Sequence, residues 1–297
     1  MPVVENLLAR GIAYILLSGL TTGLSLPVCA QVYVFGGADF TTGVNLRAVA
    51  TLDFNADSRL DLAVANTDSH SITILLGRPD STFSAGTDHL VGRSPIGLAA
   101  GDFNRDGAVD PAVANRHDGT ASILLGDGTR KIQSIAIFPA GPTPTSVVTG
   151  DFNLDSRLDL AIANGATPGS ISILLDVGNG SFQVRTSYGT GDAPAALVSG
   201  DFNRDGRPDL AVANASSNSL SILLGNGHGS FQCHVDSATG NQPVSVVLSD
   251  FNSDGRADLA VADSGDRTLS VFLGGPDATF ADRAHKKKPL QSAVEMD

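Results

Sequence analysis

The stretch DFNRDGRPD, Asp201 to Asp209, decides the reading of this chain, because it recurs as DFNADSRLD from Asp53, DFNRDGAVD from Asp102, DFNLDSRLD from Asp151 and DFNSDGRAD from Asp250. The five starts lie 49, 49, 50 and 49 residues apart. A fixed period of this length marks a repeat architecture, in which one supersecondary unit is stacked on the next. The stretches between the nonapeptides repeat as well. LAVAN or a close variant follows each, then a polar gap, then SILLG or a relative such as SITILLG or LSVFLG. A turn ending in Phe comes next at Phe83, Phe182, Phe231 and Phe280, and a run such as PTSVVTG or PAALVSG leads into the next nonapeptide.

Each period therefore holds about four short apolar or β-branched runs bounded by Gly, Asn, Asp or Pro. Runs of this length are too short for stable helices, and none keeps a helical period. The pattern predicts an all-β fold, a β-propeller of about five four-stranded blades spanning residues 31–281. An open β-repeat array or an incomplete propeller is the alternative. The opening VYVFGGADF resembles VFLGGPDATF near the other end, so the chain starts and stops at the same phase. In a closed ring the N-terminal strands would complete the blade begun by the C-terminal ones.

Hydrophobic residues make up 42% of the chain, but aromatics only 5% and Trp none, so the core has to be built from Val, Leu, Ile and Ala. A formal charge of -12 argues against a nucleic-acid partner, which requires concentrated Lys and Arg. Residues 1–30 read as an export signal: Arg10 precedes an apolar stretch that ends in Val28-Cys29-Ala30, a small-residue pattern suited to cleavage after Ala30. A second reading takes Leu26-Pro27-Val28-Cys29 as a loose lipobox, which would make Cys29 a lipid-bearing N-terminus. No other run approaches the ~18 apolar residues that cross a bilayer, so no membrane span is expected after cleavage. Residues 282–297, which include His285-Lys286-Lys287-Lys288, drop the repeat and read as a disordered tail.

Oxygen-bearing residues at alternate positions of a short loop suit a hard cation such as calcium, which takes six to eight oxygen ligands. In the loop from Asp201 these are Asp201, Asn203, Asp205 and Asp209, with the backbone carbonyl of Arg207 between them. Gly206 supplies the sharp turn, and Phe202 is expected to point into the core. An EF-hand also needs a bidentate Glu at position 12, but here that position is apolar in every copy, for example Val212. Five loops hold 15 of the 31 acidic residues, and clustered carboxylates repel one another unless a cation intervenes. The alternative is a set of Asx turns, in which Asp and Asn side chains bond local backbone without metal. Ser58 and Ser156 replace the glycine of the turn, so those two sites are expected to be weaker.

These loops and their spacing resemble the FG-GAP/VCBS repeat family, whose blades occur in integrin alpha-subunit propellers and in many exported bacterial proteins. The resemblance covers about residues 32–281. It implies a propeller with calcium held at the first, third, fifth, seventh and ninth loop positions. In the first loop these are Asp53, Asn55, Asp57, Arg59 and Asp61, and in the second Asp102, Asn104, Asp106, Ala108 and Asp110. The third has Asp151, Asn153, Asp155, Arg157 and Asp159; the fourth Asp201, Asn203, Asp205, Arg207 and Asp209; the fifth Asp250, Asn252, Asp254, Arg256 and Asp258. Family members usually have seven blades, more than this length allows.

The expected function is that of a secreted calcium-binding module for adhesion, ligand binding or scaffolding, with an extracellular protein or glycan as partner. One alternative is a propeller-scaffold enzyme such as a polysaccharide lyase. Against it, His70, His117, His228 and His234 share no place in the repeat. The other alternative is a lectin, for which the lack of Trp removes the usual sugar-stacking face.

Overall fold

The computed structural model describes residues 39–128, 131–183 and 186–280. The expected leader, the VYVFGGADF strand and the C-terminal tail lie outside these residues, apart from the last two residues of VYVFGGADF. Two compact units divide after Thr41, and every strand belongs to the second. Among the described residues nineteen strands form five antiparallel meanders. The first blade holds β1 (Leu46–Leu52), β2 (Asp61–Asn66), β3 (Ser71–Leu75) and β4 (Thr87–Leu90). The second holds β5 (Pro95–Gly101), β6 (Asp110–Asn115), β7 (Thr120–Gly126) and β8 (Ile132–Pro139). The third holds β9 (Pro144–Gly150), β10 (Asp159–Asn164), β11 (Ser170–Leu174) and β12 (Thr186–Gly189). The fourth holds β13 (Pro194–Gly200), β14 (Asp209–Asn214), β15 (Ser219–Leu223) and β16 (Val235–Ala238). The fifth has only β17 (Pro243–Ser249), β18 (Asp258–Asp263) and β19 (Thr268–Phe272) among the described residues. Among the described residues four of the five expected blades have four strands and the fifth has three. After β19 the described residues end on the bridge Gly274 to Phe280, the counterpart of Gly77 to Phe83, Asp176 to Phe182 and Gly225 to Phe231.

The second strand of each blade explains why LAVAN is apolar throughout instead of alternating. All six residues of β10 are buried, because both of its faces meet another blade. Leu160 and Ile162 join the core shared with the second blade, whereas Ala161 and Ala163 join the core shared with the fourth. Small residues on one face let the next blade approach, and large ones on the other fill the space. The loop Phe is the knob of each junction. Phe103, Phe152 and Phe202 meet Phe182, Phe231 and Phe280 of the following blade edge-on, with ring centroids 5.6, 5.7 and 6.0 Å apart.

Blades succeed one another through their first strands, β5 against β1, β9 against β5, β13 against β9 and β17 against β13. Pro begins β5, β9, β13 and β17, where a missing N–H is tolerated, and a register slip follows at once in each. Together β5, β9, β13 and β17 line an apolar groove of about 560 Å³ that includes Leu98, Val147, Val198 and Val247. Among the described residues β17 does not pack against β1 in this way. The architecture is propeller-like, a succession of five antiparallel meanders. No helix among the described residues is long and apolar enough to cross a membrane.

Candidate metal centre

Each DFNxD loop joins the first strand of a blade to the second and is shaped by two left-handed residues. At position 6, Gly107, Gly206 and Gly255 have φ of 89°, 81° and 79°, and Ser58 and Ser156 are held at 63° in the same role. Position 4 is left-handed too, at Ala56, Arg105, Leu154, Arg204 and Ser253, although its residue type varies and gives no sign of it. This winding turns the amides of positions 5 to 7 toward the side chains of positions 1, 3 and 5. In the first loop the Asp57 N–H donates to Asp53 Oδ1 (3.0 Å) and Asn55 Oδ1 (3.1 Å), Ser58 N–H to Asp53 Oδ2 (2.8 Å), and Arg59 N–H to Asp57 Oδ1 (2.9 Å). The same four bonds recur in the other loops. The side chains of positions 1 and 3 are therefore drawn to one amide, and the local bonding is that of Asx turns.

Position 9 has a different environment. Asp61, Asp110, Asp159, Asp209 and Asp258 are fully buried. One oxygen of each accepts the N–H of the loop Phe, and the other accepts the N–H at the end of the third strand. For Asp159 these donors are Phe152 (3.0 Å) and Asp176 (2.8 Å), and for Asp209 they are Phe202 (2.9 Å) and Gly225 (2.8 Å). The ninth residue thus staples the loop to the sheet. Burial pushes the carboxyl up at Asp61 and Asp209, to about 6 at Asp110 and to about 7 at Asp159, with the carboxylates at positions 5 and 1 adding to the rise. Two donated N–H bonds oppose it.

The remaining partners vary from loop to loop. Asp57, Asp155 and Asp205 each form an ion pair with the arginine at position 7, Arg59, Arg157 and Arg207. Ala108 cannot do so, and Arg256 makes no ion pair among the described residues. Asn104, Asn153, Asn203 and Asn252 donate Nδ2 to the Asp at position 5, at 2.8–3.1 Å. Arg105 and Arg204, at position 4, reach the position-6 carbonyl of the next loop, Ser156 and Gly255, and so link neighbouring loops. Asp176 carries no signal in the sequence, because all four other repeats have Gly at its place, Gly77, Gly126, Gly225 and Gly274. It is buried beside the third loop, and its Oδ1 lacks a partner.

The donor set offers only hard oxygens, and the orphaned Asp176 oxygen beside one loop adds another, so the residues fit a cation of calcium's type. Among the described residues, no three His, Cys, Asp or Glu side chains by themselves form a group able to hold a metal. Both carboxylate oxygens of position 9 accept backbone N–H groups, as do both oxygens of position 1, in the first loop Asp61 and Asp53.

A second polar feature lies on the opposite side of the blades, at the β2–β3 type of turn. A cleft of about 620 Å³ between the fourth and fifth blades is lined by Ala215, Ser216, Asn218, Asn241, Gln242 and Gly265.

The FG-GAP-like repeat family matches the chain at residues 53–113, 102–162, 151–212 and 201–261, each match running from one loop into the following blade. No curated protein matches in sequence. Among solved structures, a functionally unknown protein from Desulfotomaculum acetoxidans DSM 771 is similar with a TM-score of 0.61 at 14% identity, over 82% of this chain and 70% of that one. An Agrocybe aegerita lectin, described as recognising non-reducing terminal N-acetylglucosamine, is similar with a TM-score of 0.55 at 15% identity. That match covers 81% of this chain and 66% of the lectin. At such identities the likeness is one of fold.

Proposed function

The chain belongs to the FG-GAP-like repeat family, and from that premise we propose that it is an exported binding module whose five loops take calcium. The observation that carries the reading is the fivefold repetition of one bonding pattern, in which the side chains of positions 1, 3 and 5 converge while a buried carboxylate at position 9 sits beside them. Asp53, Asn55 and Asp57, with their counterparts in the other four loops, would hold the ion together with the carbonyl of position 7. Its chemistry there is charge neutralisation and rigidity. In the first, third and fourth loops the ion has to displace the arginine from the Asp at position 5, so the second and fifth loops are expected to bind most tightly.

Thermal unfolding of the chain in calcium, in chelator and in magnesium tests this. At about 1 mM calcium and a dissociation constant of about 0.1 mM, each site contributes about 1.4 kcal/mol. Several filled sites should raise the midpoint by more than about 5 °C. An unchanged midpoint would leave the loops as Asx turns.

The ligand class is read from the cleft between the fourth and fifth blades, whose polar lining and fold-level likeness to a lectin favour a glycan over an apolar ligand. A glycan array with and without calcium separates this from adhesion to protein. Cleavage of polyuronides by the purified chain would overturn the binding reading in favour of a lyase.

A further inference from the structure

The two ends of the blade array carry the two halves of an interface that the chain makes four times internally. At each internal junction one blade contributes its loop Phe with the alternate side chains of its second and third strands, and the next blade contributes its first strand and the large residues of its second. The donating Phe is 1% exposed at Phe54, 0% at Phe103, 1% at Phe152 and 3% at Phe202, but 49% at Phe251 of the fifth blade. On the same face Leu269 is 49% exposed, whereas its counterpart Leu220 in the fourth blade is 0%. The accepting residue of the first strand is buried at Val147, Leu197 and Val246, but its counterpart Val49 in the first blade is 65% exposed.

We propose that a second copy of this chain docks head to tail, the Phe251 and Leu269 face of one copy seating on the Val49 face of the other. The complement of each end is the other end of the same fold: four internal junctions already show that these surfaces fit, and among the described residues β17 does not pack against β1 as successive first strands do. Such a contact is heterologous, so it builds closed rings or open chains of copies according to the rotation it imposes. It stands independently of the calcium reading, since no loop carboxylate takes part.

Light scattering on the full chain across a wide concentration range tests the proposal, with Phe251→Ser and Leu269→Arg to spoil one face and Val49→Arg to spoil the other. These positions are exposed, and circular dichroism confirms that each variant keeps its sheets. The wild type is expected to show masses at multiples of the chain that grow with concentration, and each variant alone to be monomeric. An equimolar mixture of Val49→Arg with either tail-face variant should form a dimer and stop there, because each copy retains one intact face and the remaining ends are blocked. A wild type that stays monomeric, a single variant that still associates, or a mixture that stays monomeric would each overturn head-to-tail docking.

Discussion

Ser58 and Ser156 occupy left-handed positions that Gly107, Gly206 and Gly255 hold without a Cβ, yet their N–H groups make the same bond to the first Asp, at 2.8 Å. The local bonding therefore persists at a steric cost of about 1–2 kcal/mol per residue. Part of any relief is offset by the greater freedom glycine gives the unfolded chain, about 0.4–1 kcal/mol. Ser58→Gly and Ser156→Gly should each stabilise by up to about 1 kcal/mol in urea unfolding, and a lowered midpoint would refute the strain. Asp159 is held more firmly: Asp159→Ala strands two buried N–H groups and should cost about 2–5 kcal/mol, whereas Asp159→Asn keeps one acceptor and should cost less. Burial also sets a pH dependence. The carboxyls of Asp110 and Asp159 are raised to about 6 and 7 in the folded chain from 3.8, so the native state binds the extra protons between those limits. Their contribution to stability is full below the unfolded value and is lost as pH rises through the folded one. In chelator the chain should therefore unfold more readily at pH ~8 than at pH ~5, and a midpoint that rises over that range would contradict the assignment.

At the scale of the blade, the second strands and the loop Phe were legible because their composition answers to burial on two faces. Phe152→Ala should cost about 3–5 kcal/mol, and Phe251→Ala, at the uncovered end, less than about 1 kcal/mol in the monomer. Equal effects at the two sites would dissolve the junction picture. The fourth strands were not legible in the same way. TDHL, TSYG and VDSA share no pattern, because β4, β12 and β16 lie at the outer edge, are largely exposed and are held by pairing with the third strand. The last residue of each second strand was also missed. Asn66, Asn115, Asn164 and Asn214 are buried and donate Nδ2 to hydroxyls of the third strand, while a neighbouring glycine stands against them. Gly141→Ala would bring a Cβ to 2.6 Å from Asn164 Nδ2, so that variant should lose stability although alanine suits a loop.

Across the whole array, stability is close to a sum of blade and junction contributions. Blades two to four have a neighbour on each face, whereas the first and fifth each lack one among the described residues. Hydrogen exchange should therefore be fastest in β1 and β17–β19 and slowest in β10 and β14, and calcium should slow exchange at every loop. Uniform protection from end to end in dilute solution would show that the end faces are already covered.

The sequence alone determined the period, the all-β class and the oxygen-rich loops, because each is a local property repeated five times. Tertiary structure decided what each loop side chain bonds. It turned the ninth Asp into the sheet, set Arg59, Arg157 and Arg207 on the fifth, and placed Asp176 beside the third loop. It also decided that the fifth blade has three described strands and that each first strand from β5 to β17 packs against the one before it. Those outcomes depend on how blades meet in space, and a nine-residue motif carries no information about the surface that its neighbour presents.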